Sequence, residues 1–265
     1  MKGKTIVLTG ASGGIGSDIA KQLSDAGARL LLVGRNTEKL DTLNKGLESK
    51  HRVITADITT ETGRNKVVQA CEGQKQGIDV LINNAGIGQF NLFEEMGQDQ
   101  IGQIIHTNLT STILLTHALL PLLLAQQKAK IINIGSTFGS IGYPGSSVYS
   151  ASKFGVRGFS EALRRELMGN KSQIRVQYFA PRATKTSINN AYVDAMNQEL
   201  GTHMDDTTSV AKQLLVFMKT DAGQCFIGWP EKLFVRINGL LPSVVESSIV
   251  KQLPVIKRYL KQSQQ

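Results

Sequence analysis

The chain of 265 residues is long enough to bury the core of one α/β domain, and its 41% hydrophobic content is ordinary for a globular protein. Its formal charge of +9 raises the question of nucleic acid or an anionic membrane as a partner. The sequence has neither a lysine-rich tail nor an aromatic-basic RNA motif, so we expect no nucleic-acid binding. Its two cysteines, Cys71 and Cys225, lack a metal-ligand spacing, so we also expect no metal site.

The same features indicate a compartment. The two distant cysteines are typical of reduced thiols in a cytosolic protein. The first residues lead directly into a strand pattern, so we expect no signal peptide. The sequence contains no run of 18 apolar residues, so we expect no membrane-spanning helix. We therefore expect a cytoplasmic protein.

Strand and helix patterns alternate along the chain, which predicts an α/β fold of the Rossmann type. Such a fold is a doubly wound parallel sheet between two layers of helices. The first predicted strand, Thr5 to Thr9, runs into a turn with Gly10, Gly14 and Gly16, ahead of a helix over about Ile15 to Ala26. Glycines there allow the backbone to approach a pyrophosphate, which the helix N-terminus stabilises. A P-loop is excluded because no Gly-Lys-Ser/Thr follows, and a turn without a ligand is the alternative.

The second predicted strand, Arg29 to Val33, indicates which dinucleotide is bound. An NAD site usually ends this strand with a carboxylate on the ribose, whereas Arg35 and Asn36 follow it here. The Arg35 guanidinium suits the 2′-phosphate of NADP, so we expect NADP(H) as the cofactor. A surface charge at the start of the next helix is the alternative.

Polar residues recur at the same predicted sheet edge. Asp57 follows the third strand, where its carboxylate would accept a hydrogen bond from an adenine amino group. Asn84, Ala85 and Gly86 follow the fourth strand and are small enough for a ribose to approach. A long helix predicted over Asp99 to Ala125 carries Asn108, which either anchors an internal network or holds a water.

A serine, a tyrosine and a lysine are the candidate catalytic residues. Tyr149 and Lys153 are four residues apart, so they share one face of a predicted helix. We expect the cation to lower the pKa of the phenol, so that Tyr149 exchanges protons near neutral pH. Ser136 follows an apolar strand and is placed to hydrogen-bond a substrate oxygen. Tyr-x-x-x-Lys alone would not exclude two unrelated surface residues.

Together these motifs resemble the short-chain dehydrogenase/reductase superfamily over about residues 3 to 228. The resemblance implies hydride transfer between a nicotinamide ring and a carbonyl or alcohol carbon. It implies that Tyr149 is the general acid/base, that Ser136 orients the substrate oxygen, and that Asn108 holds a water in a proton relay. It further implies that Lys153 binds the ribose. The expected cofactor-binding residues are Thr9, Gly10, Ser12, Gly14, Ile15, Gly16, Arg35, Asn36, Asp57, Ile58, Asn84, Ala85, Gly86, Tyr149, Lys153, Pro181, Thr184 and Thr186.

Two segments near the substrate side need separate interpretation. After the strand Arg175 to Phe179 the family usually has Pro-Gly, whereas this chain has Pro181 followed by Arg182. We expect Arg182 to face solvent or form a local salt bridge, and a grip on a substrate carboxylate or phosphate is the alternative. Residues 187–204 occupy the usual position of a substrate lid. Their apolar helical face either covers an apolar substrate or packs on the core; it comprises Ile188, Tyr192, Val193, Met196 and Leu200.

The C-terminal residues lie outside the resemblance. Residues 1–230 are assigned to the dinucleotide-binding catalytic domain, and 231–265 to an amphipathic extension of it. The extension is predicted as short helices interrupted by Pro242 and Pro254, with six basic and two acidic residues. Peripheral membrane docking, a dimer or lid contact, and packing on the same subunit remain open.

The sequence thus predicts an NADP(H)-dependent oxidoreductase that interconverts a carbonyl and a secondary alcohol on an apolar small molecule. We expect a homodimer or homotetramer. A nucleotide-binding regulatory protein with the same fold and little turnover is the alternative. A sensor would have no use for the intact set of Asn108, Ser136, Tyr149 and Lys153.

Overall fold

A computed structural model describes residues 1–170, 172–186 and 191–262. These residues form a seven-stranded parallel sheet with helices on both faces, which confirms the predicted fold class. The strands are β1 (Thr5–Thr9), β2 (Arg29–Gly34), β3 (Arg52–Thr55), β4 (Val80–Asn83), β5 (Ala129–Ile134), β6 (Ile174–Ala180) and β7 (Gln224–Phe226). Ile188 of the predicted lid lies outside the described residues.

The helices alternate with these strands. They are α1 (Gly14–Asp25), α2 (Thr37–Gly46), α3 (Glu61–Glu72), α4 (Gln98–Ile105), α5 (Ser111–Leu124), α6 (Ser147–Gly169), α7 (Ala191–Glu199), α8 (Thr207–Phe217), α9 (Trp229–Leu240), α10 (Pro242–Val250) and α11 (Leu253–Gln262). Short 3-10 turns cover Phe93–Glu95 and Thr137–Gly139.

The strand order is β3-β2-β1-β4-β5-β6-β7, so the order reverses between β1 and β4. Every residue of both strands is buried, because helices cover both faces of a parallel sheet. At such a reversal the loops after the two strands diverge to opposite faces and leave a crevice at the carboxyl ends. The topology therefore places a ligand crevice next to Thr9 and Asn83.

The predicted long helix is interrupted at the residue that the sequence singled out. The π-helical turn His106–Thr110 separates α4 from α5, and Asn108 lies within it. By length and composition alone, the run Gln98–Leu124 would suffice to cross a membrane. Leu115, Leu119 and Leu123 are nevertheless fully buried against the sheet, so we assign it as a core helix.

The last two helices of the C-terminal segment each begin with a proline in a position that a helix tolerates. Pro242 and Pro254 lie in the first turns of α10 and α11, where a missing N–H is tolerated. Ile256 and Leu260 of α11 are buried against Met196 of α7. The segment therefore packs at least in part on its own subunit, one of the alternatives left open by the sequence.

Candidate active site

A cavity of about 510 Å³ follows the carboxyl edge of the sheet across the reversal point. Of the predicted site residues, Thr9 and Asn108 do not line it, whereas the others do. The lining set is Gly10, Ser12, Gly14, Ile15, Gly16, Arg35, Asn36, Asp57, Ile58, Asn84, Ala85, Gly86, Ser136, Tyr149, Lys153, Pro181, Thr184 and Thr186. The sequence motifs therefore converge on one cleft.

The glycine-rich turn is packed too tightly for side chains. Gly10 has φ +63°, a conformation that favours glycine. A Cβ on Gly16 would lie 2.1 Å from the Gly10 carbonyl oxygen. The first turn of α1 can therefore approach the end of β1, which leaves its N–H groups facing the cavity as an anion site.

The Thr9 side chain does not line the cavity but is buried on the inner side of the turn, so its contact with the cofactor stays a prediction. Its Oγ1 accepts hydrogen bonds from the backbone N–H groups of Asn84 and Ala85, both at 3.0 Å. The Asn84 side chain donates to the carbonyl oxygens of Thr9 and Gly10 at 3.0 and 3.1 Å. Thr9 thus joins β1 to the segment after β4 and shapes the cavity wall indirectly.

At the end of the cavity beside β2 and β3, Arg35 is exposed and Lys39 is a second lining cation. Asn36 caps α2 by accepting a hydrogen bond from the Lys39 backbone N–H at 2.8 Å. Burial raises the pKa of the Asp57 carboxyl, but the hydrogen bonds from Thr59 outweigh burial and lower the pKa overall, with Arg35 adding to that effect. The carboxylate is thus ionised and held by its own turn. This end of the cavity suits an anion on the Arg35 side.

Ser136, Tyr149 and Lys153 meet at the other end. Ser136 begins the 3-10 turn after β5, and its Oγ accepts a hydrogen bond from the Phe138 backbone N–H at 3.1 Å. Lys153 is buried and its Nζ donates to the Ile134 carbonyl oxygen at 2.9 Å. The Nζ lies 5.6 Å from the centroid of the Tyr149 ring. A hydroxyl pair and a cation thus face the same cavity.

The predicted lowering of the Tyr149 pKa is wrong. Burial raises the pKa of the phenol, and the hydrogen bond from Ser136 offsets only part of that effect. Burial also lowers the pKa of Lys153 to about 8, because the ammonium is desolvated as well. The sequence argument counted the neighbouring cation but not the burial of both groups. Tyr149 is therefore protonated at neutral pH.

Asn108 belongs to an internal network behind the cavity, one of its two predicted alternatives. Its side chain accepts a hydrogen bond from the Ile87 N–H at 2.8 Å and donates to the Ile87 carbonyl at 2.9 Å. It also donates to Ser152 Oγ at 3.1 Å, and that hydroxyl donates to the Tyr149 carbonyl at 2.7 Å. Ser152 therefore connects Asn108 to the turn of α6 that carries Tyr149 and Lys153. Sequence reasoning missed it, although it immediately precedes Lys153.

Arg182 forms the local salt bridge that we expected. Its Nε and one terminal nitrogen donate to the two carboxylate oxygens of Asp205 at 2.9 and 2.8 Å. Its other terminal nitrogen reaches Glu231 at 3.3 Å. Asp205 also pairs with the loop through its backbone, accepting from Lys185 N–H and donating to the Ala183 carbonyl, both at 2.9 Å. The guanidinium is thus engaged by two carboxylates and fixes the loop that lines the cavity.

The wall beyond Ser136 and Tyr149 is largely apolar and aromatic. Phe138 and Tyr143 stack with ring centroids 4.8 Å apart. Phe90 and two residues of α7, Val193 and Met196, line the same region. Of the lid face predicted from the sequence, Val193 and Met196 line the cavity and Met196 also packs on α11, and contact with an apolar substrate stays a prediction. Within the described ranges, no cluster of three His, Cys, Asp or Glu residues suits a metal ion.

Comparisons with known proteins agree with this geometry. A profile of the short chain dehydrogenase family matches residues 4–197. The chain is 30% identical to 3-oxoacyl-(acyl-carrier-protein) reductase FabG of Haemophilus influenzae, over 84% of this chain and 93% of that one. It is 35% identical to acetoacetyl-CoA reductase of an Acinetobacter species, over 74% and 79% of the two chains. A short chain dehydrogenase/reductase from Burkholderia phymatum in complex with NAD has the same fold, with a TM-score of 0.81, 19% identity and coverage of 92% and 95%.

Replacing Arg182 by alanine should destabilise the protein, because Asp205 would keep a nearly buried charge without its bidentate partner. A lost hydrogen-bonded charge pair of this kind costs about 1.5–3 kcal/mol. Chemical denaturation would measure the loss. Arg165→Ala is the control, since Arg165 pairs with Glu161 on the surface and such pairs contribute about 0.5 kcal/mol. Equal effects of the two variants would contradict the assigned role of Arg182.

Proposed function

We propose that this chain, which belongs to the short-chain dehydrogenase family of nicotinamide-dependent oxidoreductases, interconverts a carbonyl and a secondary alcohol on an apolar small molecule with NADP(H). Family membership confirms the resemblance predicted from the motifs. The observation that carries the proposal is the meeting of Ser136, Tyr149 and Lys153 in the cavity that also contains the glycine-rich turn. A regulatory protein without turnover remains the rival to be tested.

The residues present fit a dinucleotide. The turn at Gly10 and Gly16 leaves no room for a Cβ, and the α1 N-terminus faces the cavity. The bound cofactor supplies the hydride at its nicotinamide ring. Lys153 lies where a ribose hydroxyl could accept its second hydrogen bond, in addition to the one that Ile134 accepts.

The protein's own chemistry is a proton transfer. Tyr149 Oη gives its proton to the carbonyl oxygen of the substrate during reduction, while the Ser136 hydroxyl holds that oxygen. Burial raises the pKa of Tyr149, so the phenol is in the acid form at neutral pH. That protonation state favours the reductase direction. In the reverse direction Tyr149 must first lose its proton.

Charge at the far end of the cavity supports NADP(H) over NAD(H). Arg35 and Lys39 both line the cavity after β2, where NAD sites usually carry a carboxylate. A 2′-phosphate would pair with these two cations. The lining carboxylate at this end is Asp57, whose Oδ1 accepts hydrogen bonds from the Thr59 N–H and hydroxyl at 2.9 and 2.7 Å.

The aromatic wall supports an apolar substrate. Phe90, Phe138, Val193 and Met196 would contact the part of the substrate beyond its carbonyl. Asp205 and Glu231 neutralise the charge of Arg182, so Arg182 would contribute little to the binding of a substrate carboxylate. An acyl ketone is consistent with the two similar reductases, which are named for 3-oxoacyl and acetoacetyl groups.

Two exposed surfaces support proposals about partners. A homodimer or homotetramer would bury the apolar side chains that α5 and α6 expose: Leu114, Leu124, Phe154 and Met168. Peripheral contact with an anionic membrane would use α9, where Trp229, Leu233 and Leu240 form one exposed stripe. The basic residues Lys232 and Arg236 lie beside or within that stripe, as they do in helices that bind at a membrane surface. The two free cysteines support a cytoplasmic setting.

The cofactor proposal predicts that NADPH binds more tightly than NADH, and that Arg35→Ala removes most of the difference. One charge-assisted phosphate contact contributes about 1.5–3 kcal/mol, roughly ten- to a hundred-fold in affinity. Fluorescence titration with both cofactors measures the two affinities and their difference. NADH affinity is the internal control and should change little. Equal affinities of the unmutated protein for the two cofactors would contradict the proposal.

The catalytic proposal predicts that Tyr149→Phe abolishes carbonyl reduction while NADPH affinity stays within about twofold, because only a transferable proton is lost. Steady-state assays on a panel of apolar ketones, together with cofactor titration, measure both. Retention of most of the rate by the variant would refute the role of Tyr149. Cofactor binding by a wild-type protein that reduces no ketone would favour the regulatory alternative.

The same proposal predicts a pH profile for the wild-type enzyme. With a pKa of about 8, Lys153 is charged below that pH and neutral above it, whereas Tyr149 stays protonated throughout that range. Reduction should therefore decline as the pH rises through about 8, when the cation beside the phenol is lost. A profile that is flat to pH 10 would show that the charge of Lys153 is not required.

The membrane proposal predicts salt-sensitive sedimentation with phosphatidylserine vesicles, since each basic residue contributes about 1 kcal/mol near an anionic surface. Trp229→Ala combined with Leu240→Ala should abolish sedimentation. Val216→Ala, at an exposed position of α8, is the control and should not change it. No binding to anionic vesicles at low salt would remove the membrane from the proposal.

A further inference from the structure

Tyr178 in β6 is buried directly behind Ser136. Its hydroxyl donates a hydrogen bond to the Ser136 carbonyl oxygen at 3.0 Å and accepts one from the Ser136 backbone N–H at 3.2 Å. Both polar groups of one residue's backbone are thus held by a single phenol. The side chain of that residue lines the cavity, as Tyr149 does.

The space for this phenol depends on two glycines beside Ser136. A Cβ on Gly135 would lie 2.1 Å from Tyr178 Cζ, and one on Gly139 would lie 2.2 Å from its Oη. Neither glycine has a positive φ, so backbone conformation alone does not require glycine at these positions. The glycines on both sides of Ser136 therefore fit the presence of a large side chain at position 178.

The ring and the hydroxyl of Tyr178 have separable surroundings. The ring packs against Val156, Ala180 and the edge of Phe226, a set of contacts that phenylalanine would also make. The hydroxyl makes its two hydrogen bonds with Ser136. Burial raises the pKa of Tyr178 to about 12, so the group remains both donor and acceptor over the working range of pH. The hydroxyl therefore holds the Ser136 backbone in one position.

We infer that Tyr178 is a positioning residue for Ser136, and that its hydroxyl holds the Ser136 backbone so that Oγ points at the substrate oxygen. The catalytic part of this inference rests on the proposed function. Without the hydroxyl, the Ser136 N–H loses its hydrogen-bond partner, whereas the N–H groups of Gly135 and Thr137 stay bonded to Phe179 and Pro181, so the loss of support is local to Ser136. Tyr178 acts through Ser136 and does not itself line the cavity.

The test is Tyr178→Phe, assayed for kcat, KM and NADPH affinity. We expect kcat to fall about ten- to a hundred-fold, the range for a misplaced catalytic group, with cofactor affinity within about twofold. Tyr259→Phe is the matched control, since neither Tyr259 nor the exposed Glu199 that its hydroxyl bonds lines the cavity, and kcat should stay within about twofold. An unchanged kcat in Tyr178→Phe, or an equal loss of cofactor affinity, would overturn the inference.

A double-mutant cycle separates positioning from general support of the fold. In a Ser136→Ala background, Tyr178→Phe should change kcat less than about threefold, because the group that it positions is already gone. If the two substitutions lowered kcat independently, so that their fold-losses multiplied in the double variant, the inference would be overturned. A Tyr178→Phe protein that does not fold would also overturn it, since the hydroxyl would then hold the domain rather than the serine.

Amide hydrogen exchange gives a readout that does not depend on turnover. Tyr178→Phe should accelerate exchange at the Ser136 N–H by at least about tenfold, while amides of β1 stay protected. Unchanged exchange at Ser136 would overturn the positioning role. A wild-type protein without any turnover would refute the proposed function separately, and the exchange result would still decide whether Tyr178 holds Ser136.

Discussion

The hydrogen bonds between the end of β1 and the segment after β4 hold the two halves of the site together. Thr9 accepts from two consecutive backbone N–H groups beyond β4, and Asn84 donates back to the turn after β1. The crevice exists because these two strands send their chains to opposite faces. The two strands pair directly up to Leu8 and Ile82, and the Thr9 and Asn84 bonds extend that pairing into the loops, so they set the spacing between the glycine-rich turn and the wall that leads to Lys153.

The C-terminal segment completes this arrangement from the other side. Glu231 contacts Arg182 in the cavity loop, and Gln252 accepts a hydrogen bond from Tyr143 at 3.0 Å on the substrate wall. Buried α11 residues support Met196 of the lid. The part of the chain that lies beyond the family resemblance therefore contacts three separate walls of the cavity. Differences in substrate choice among related proteins can arise from such a segment without any change in the proton-transfer residues.

The fold and most cavity residues could be predicted from the sequence alone, because each followed from a local pattern. Strand and helix alternation fixed the layers, and Tyr149 and Lys153 share a face through helical spacing. Other features depended on tertiary contacts. The direction of the Tyr149 pKa shift depends on burial, and the carboxylates on Arg182 come from positions 23 and 49 residues away. The π-helical turn at Asn108 lies in the mostly polar run His106–Thr110, which has no periodicity that distinguishes a π-helical turn from an α-helical one.

The crowding around Tyr178 restricts the order in which the chain can change during evolution. A methyl group at position 135 or 139 would overlap the phenol, so neither alanine is accessible while Tyr178 is present. The tyrosine must shrink first, and that step releases the backbone of Ser136 before any new side chain can replace the lost support. Loss of the tyrosine is thus the permissive first step for a side chain at position 135. Position 139 would stay restricted even then, because a Cβ there also lies 2.8 Å from the Lys153 carbonyl oxygen.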